Sequence, residues 1–185
     1  MGVDTGRRKH HTARRVHTNS TNPYKQYLVK LTKILVNKSG SKCMEKIHHR
    51  LIQSRTNQAP VSLKKVSSTL KGRSEKDCAI VAATVTSAKP SDEPALKQGI
   101  KVAALRFTEK ARHQIERRGG EALTIDEYLT QNPLCQHAVL LRGKQSARKA
   151  TKYFGPPPGA KNSKTKQRVF NERKERAKNR MFRSK

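Results

Sequence analysis

Four local constellations carry residue types that do chemistry. Cys43, His48 and His49, with His10 and His11 upstream, are metal-ligand types. Adjacent residues on a helix diverge by about 100°, so His48 and His49 cannot chelate one ion together, and solvated or nucleic-acid-facing histidines fit this spacing better. Asp126 and Glu127 are the obvious acid–base carboxylates, but Thr124-Ile125-Asp126-Glu127 also spells a capping box. There Thr124 and Glu127 each satisfy a free backbone donor, and the first helical turn favours Asp126. No nucleophile–base–orienter set accompanies them, and no enzyme is expected. Gly143-Lys144 has the look of a phosphate-loop end. A Walker loop needs a Gly five residues before the Gly of its Gly-Lys pair and then Ser or Thr after the Lys, whereas this chain has Ala138 ahead and Gln145 behind. No nucleotide site, metal or cofactor follows.

The fourth constellation is cationic. The chain has 42 Lys+Arg against 13 Asp+Glu, a formal net charge of +29 in 185 residues. Such a domain repels itself, and a polyanion is the natural counter-charge. Nucleic acid fits best, since each phosphate neutralised releases condensed counterions. An anionic membrane would need an amphipathic helix with a wide apolar face or a lipid anchor. The start Met1-Gly2-Val3-Asp4-Thr5-Gly6 has Gly6 where a myristoylation signal needs Ser or Thr. No apolar run approaches the roughly 20 residues of a membrane span, and no signal-peptide core is seen. Cys43, Cys78 and Cys135 are odd in number and far apart, which points to free thiols in a reducing compartment.

Two segments concentrate the groups that hold phosphate. Ser54-Arg55-Thr56-Asn57-Gln58-Ala59-Pro60 offers an Arg and short polar side chains suited to a sugar–phosphate backbone, or else forms an ordinary polar turn at a helix end. The run from Gly143 to Gly155 interleaves Lys144, Arg148, Lys149 and Lys152 with Tyr153 and Phe154, a composition suited to phosphates and exposed bases rather than a plain linker. It leads into Pro156-Pro157-Pro158-Gly159, which stiffens the exit.

These residues need a frame. Residues 1–20 carry about +4, 21–145 about +13 and 146–185 about +12. The first and last segments are expected to be a basic arm and a basic extension that order on a partner, with a globular domain between. Asn22-Pro23 predicts a helix start, with Tyr24, Tyr27, Leu28, Leu31, Ile34 and Leu35 on one stripe. A second helix from Ser41 carries Met44, Ile47, Leu51 and Ile52, and a third from Ser62 runs through Leu63, Val66 and Leu70 to Gly72. Cys78–Thr86 reads as a buried strand, Lys101–Phe107 as a second and His137–Leu141 as a third. Thr108 caps a helix that stops at Gly119-Gly120, and a short helix follows the capping box. Ser163 to Arg183 is expected to be helical when bound, with Val169, Phe170, Lys174, Ala177 and Met181 near one face. The class is α/β: a small strand–helix domain preceded by helices, with basic extensions at both ends.

The ordered motifs carry a resemblance. Met1-Gly2-Val3-Asp4, Ser54-Arg55-Thr56-Asn57, Ala104-Leu105-Arg106-Phe107-Thr108, Ala111-Arg112, Gly119-Gly120, Leu123-Thr124-Ile125-Asp126, Val139-Leu140-Leu141-Arg142-Gly143, Tyr153-Phe154-Gly155 and Pro158-Gly159 appear in sequence before a basic tail. Together they resemble the large-subunit ribosomal protein eighteen family of eukaryotes, although Ala59 and Val61 stand where that family reads Pro and Leu. The resemblance covers nearly the whole chain. It implies a domain related to bacterial large-subunit protein fifteen, no catalysis or cofactor, and a scaffolding role on large-subunit ribosomal RNA. It also implies protein neighbours that include a long extension of large-subunit protein four, residence in cytoplasmic ribosomes, and nucleolar passage during assembly. Another basic chromatin or nucleolar scaffold is the alternative. The expected RNA contacts are Arg7, Arg8, Arg14 and Arg15 in the arm and Arg55, Asn57, Arg112, Arg142, Lys144, Arg148, Lys149 and Lys152 beyond it. In the tail they are Lys164, Lys166, Arg168, Arg173, Lys174, Arg176 and Arg180, with Arg suited to bidentate phosphate contact.

Overall fold

The computed structural model describes residues 15–167. The chain divides between Gln145 and Ser146 into two units. The larger is a parallel five-stranded sheet with helices on both faces. Its elements run α1 (Pro23–Ser39), α2 (Lys42–Ile52), β1 (Val61–Ser62), α3 (Leu63–Leu70), β2 (Cys78–Thr86), β3 (Lys101–Phe107), α4 (Glu109–Glu116), β4 (Glu121–Thr124), α5 (Ile125–Gln131) and β5 (Ala138–Leu141). The α/β class expected from the sequence is what the structure has.

Strand β2 is the spine, and its alternation explains its nearly continuous apolar sequence. Ala79, Val81, Ala83 and Val85 face one core with α3, α4 and the loop residues Leu96 and Ile100. Cys78, Ile80 and Ala82 face the other with Met44, Ile47 and Leu51 of α2 and Ile125, Tyr128 and Leu129 of α5. A strand covered on both faces has no polar side to display. Each fully buried aliphatic side chain stabilises the fold by about 1.5–3 kcal/mol relative to exposure.

The edges of β2 are used unequally. β3 pairs along its whole length on one side and β4 continues beyond β3. On the other side two short strands share the edge: β5 pairs Cys78–Val81, and β1 pairs Val85 and Thr86. The β2–β3 register shifts between Val81 and Thr84, a bulge opposite the gap between β5 and β1. Bulges commonly re-aim strands beside functional sites.

Helix ends follow local chemistry. Asn22 accepts a hydrogen bond from the Tyr24 amide, and the Gly40 amide closes α1 on Val36. The capping box at Thr124–Glu127 is formed in full. At the end of α4, Gly119 takes φ +66° and the Gly120 amide donates to the Ile115 carbonyl, as a left-handed cap requires. Three expectations need correction. Of the α1 stripe, Leu28 and Leu35 pack against the core but Tyr24, Tyr27, Leu31 and Ile34 are exposed, and the buried residues of the helix are Val29 and Thr32. Thr108 holds the cap position, yet its hydroxyl is buried with no hydrogen-bond partner among the described residues. Among the described residues there are five strands rather than three, because β1 has only two residues and β4 is a four-residue strand that ends on the capping residue Thr124.

The smaller unit is described from Ser146 to Gln167. Here 3-10 turns at Gln145–Ala147 and Lys149–Tyr153 lead into a loop that folds back on itself. The Lys166 amide donates to the Lys152 carbonyl at 2.8 Å, and the Thr165 hydroxyl donates to the Phe154 carbonyl at 3.1 Å. The proline run thus lies inside a closed loop.

Candidate nucleic-acid interface

The seam where β5 gives way to β1 joins the two basic segments of the larger unit. After β5 the chain passes through Arg142, Gly143 and Lys144, and just before β1 it passes through Arg55, Asn57, Ala59 and Pro60. Gly143 is buried where these backbones meet. A Cβ there would lie 2.4 Å from both the Ala59 and Pro60 carbonyl oxygens, so only glycine fits.

Side chains lock the junction. Gln145 Nε2 donates to the Asn57 carbonyl at 3.4 Å and to Asn57 Oδ1 at 3.3 Å. Gln58 Nε2 donates to the Arg50 and Leu51 carbonyls, covering open acceptors at the end of α2. Arg50 Nη1 donates to the Leu141 carbonyl at 2.9 Å, and Lys65 Nζ donates to the Arg142 carbonyl at 2.9 Å. These bonds use main-chain oxygens and leave the cationic charges without counter-charge. Nothing that lines the seam is acidic. Burial and then the neighbouring Arg142 lower the Arg50 pKa from its usual value. An anion at the seam relieves that repulsion.

Of the expected contacts, Asn57 and Arg142 line the seam, Arg55 and Lys144 flank it in the chain, and all four are exposed. Arg112 lies apart on the outer face of α4, which packs in the opposite core. Arg15 is exposed near the start of the larger unit, and its charge, after burial, helps lower the Lys25 pKa. In the smaller unit Arg148, Lys149, Lys152, Lys164 and Lys166 are all exposed, and the closed loop sets Lys152 beside Lys166. Lys152 Nζ lies 5.3 Å from the Tyr153 ring centroid. Among the described residues the ion pairs involve none of these cations. Arg7, Arg8, Arg14, Arg168, Arg173, Lys174, Arg176 and Arg180, and the expected helix beyond Ser163 from residue 168 on, lie outside the described residues. Sequence reasoning missed Arg50 and Lys65, which look like ordinary helix-surface cations until the fold brings them to β5.

The metal-type residues have other partners. His48 Nδ1 lies 3.0 Å from the buried Thr32 hydroxyl, itself donating to the Val29 carbonyl. The Cys135 thiol donates to Met44 Sδ at 2.9 Å, and burial raises its pKa to about 12 and that of Cys43 above its usual value. His49 is exposed on α2.

Comparison with known proteins agrees with this picture. Residues 2–185 match the family described as ribosomal protein 60S L18 and 50S L18e. The large ribosomal subunit protein eL18 of Trypanosoma cruzi is 37% identical over 198 residues, covering 100% of both chains. That of Trypanosoma brucei brucei is 37% identical, with 95% of this chain and 93% of its own covered. The chickpea (Cicer arietinum) protein of the same name is 38% identical, with 95% and 96% covered. The chain belongs to the family of ribosomal protein 60S L18 and 50S L18e.

Proposed function

We infer that this chain is a structural constituent of the large ribosomal subunit, where it binds and stabilises ribosomal RNA without catalysing a reaction. One observation carries the RNA-binding part: two segments some ninety residues apart meet at Gly143 to form an exposed cationic seam with no acidic lining. Phosphate contacts fix register and orientation, which is what a scaffold needs. The cations of residues 1–20 and 146–185 add phosphate contacts of their own. Protein neighbours include, from the family resemblance, the extension of large-subunit protein four, and passage through the nucleolus accompanies assembly. Asp126 does line an apolar groove, but there it is the first-turn acid of α5, and Thr124 beside it is engaged by the Glu127 amide.

The test is the salt dependence of binding by the full chain to a large-subunit RNA fragment. Each lost phosphate contact lowers the slope of log K against log salt by about 0.7–0.9. Replacing Arg55, Arg142 and Lys144 with Gln is therefore expected to lower it by about 2–3 and to weaken binding roughly a hundredfold at 0.1 M salt. An unchanged slope in the folded variant contradicts the seam. A chain that leaves large subunits at moderate salt during sedimentation is instead a different basic scaffold.

A further inference from the structure

Helix α1 keeps a row of four large apolar side chains in water. Tyr24, Tyr27, Leu31 and Ile34 are all exposed, Tyr24 at 82% and Ile34 at 53%, while Val29 and Thr32 are buried and Leu28, Leu35 and Val36 pack against the core. Their spacing of three, four and three residues is that of a coiled-coil seam, the pattern one helix presents to another. Beside the stripe runs a groove of about 660 Å³, closed on its far wall by Leu105, Arg106 and Ile125. Large apolar side chains exposed in a row, rather than scattered singly, mark an interaction site.

We propose that this face of α1 is the docking site for an amphipathic α-helix of another protein, one that carries acidic residues beside its apolar stripe. Charge complementarity names the partner. Helix α1 holds four lysines, at positions 25, 30, 33 and 38, and no acid. Arg106 stands on the facing wall, and Asp126 is the sole acidic residue lining the groove. A second copy of this chain brings the same lysines to the same place and is repelled. RNA satisfies the lysines but leaves Leu31 and Ile34 without apolar contact, whereas a helix seated by residues three and four apart covers both. The partner is a fellow component of the subunit, and to that extent the inference rests on the ribosomal reading.

The experiment places a benzophenone side chain at Tyr27 or Ile34 of the full chain in cells and irradiates purified large subunits. The expected adduct is a peptide from another subunit protein with apolar residues three and four apart and Asp or Glu alongside. Lys25 lines the groove and Lys30 Nζ lies 5.7 Å from the Tyr27 ring centroid, so Lys25→Glu with Lys30→Glu is expected to cut the adduct at least about fivefold, the worth of two rim ion pairs. Lys25→Arg with Lys30→Arg retains it. Adducts to RNA, to a second copy or to a segment without acids overturn the proposal, as does the absence of any adduct. Sedimentation of the unmodified chain judges the ribosomal reading separately, so either failure is recognisable alone.

Discussion

Substituting Gly143 by Ala tests fold and interface together. The added Cβ would lie 2.4 Å from the Ala59 and Pro60 carbonyl oxygens and 2.7 Å from the Ala59 carbonyl carbon. Ordinary carbon–oxygen contact begins roughly 1 Å farther out, and neither obstacle is a flexible side-chain tip. The β5 exit must therefore move away from β1, which costs about 1–3 kcal/mol by analogy with overpacked cores. The Gln145–Asn57 bonds, worth about 1 kcal/mol net, are strained by the same shift. A loss of about 2–4 kcal/mol in urea denaturation is expected, or about 4–16 °C in melting temperature for a chain of this length. Gly99→Ala is the control, since Gly99 has φ +62° with nothing within 4 Å and should lose only the backbone strain of about 1 kcal/mol. Because the seam opens, Gly143→Ala also weakens RNA binding while every cation stays in the sequence. A Gly143→Ala protein as stable as the Gly99→Ala control would refute the close junction and with it the seam.

Two further predictions concern buried polar groups. Thr108→Val keeps the shape of the side chain and removes a buried hydroxyl that has no partner among the described residues, so stability should rise by about 1 kcal/mol; a fall in the urea midpoint would show the hydroxyl to be satisfied. Burial, and then Lys33, hold the His48 imidazole below its ordinary value of 6.5. The unfolded chain therefore takes up that proton at higher pH than the folded one, and stability present above about 6.5 is lost as pH falls through the window beneath it. Urea curves at pH 7.5 and 5.0 should diverge more for the parent chain than for His48→Gln, and equal divergence would remove His48 as the cause.

How far the sequence spoke depended on whether a signal was local. The β2 run, the helix stop at Gly119-Gly120 and the Thr124–Glu127 box are written within a few residues, and each formed as expected. β1 was invisible because two residues have no period to read, and β4 because its last residue also serves as a cap. The orientation of α1 was misjudged for a different reason. Only Leu28 and Leu35 of its apolar stripe pack against the core, and the buried positions are Val29 and Thr32. Periodicity reports that a face is apolar, not what covers it. The site was half legible: both basic segments stood out by composition, but their meeting depends on β5 and β1 sharing one edge of β2, a long-range pairing that no window of sequence contains.

That shared edge also explains why this fold suits a scaffold. Two short strands end to end leave a break in an otherwise covered sheet, and the break is filled by backbone rather than by side chains, with Gly143 against Ala59 and Pro60. Five cationic side chains lie at or beside this junction: Arg55, Arg142 and Lys144 are exposed, while Arg50 and Lys65 are tied to the Leu141 and Arg142 carbonyls. Burial first and the Arg142 charge second lower the Arg50 value, and like charge at the seam works against the free protein. A phosphate backbone laid across the seam reverses the sign of that contribution, so the same residues that weaken the isolated fold strengthen the bound one. Stability of the larger unit should therefore rise with added RNA and, more weakly, with added sulfate. The seam variant with Arg55, Arg142 and Lys144 replaced by Gln should begin more stable and gain less from either. If the variant and the parent gain equally, the cations of the seam are not where RNA binding and folding are coupled.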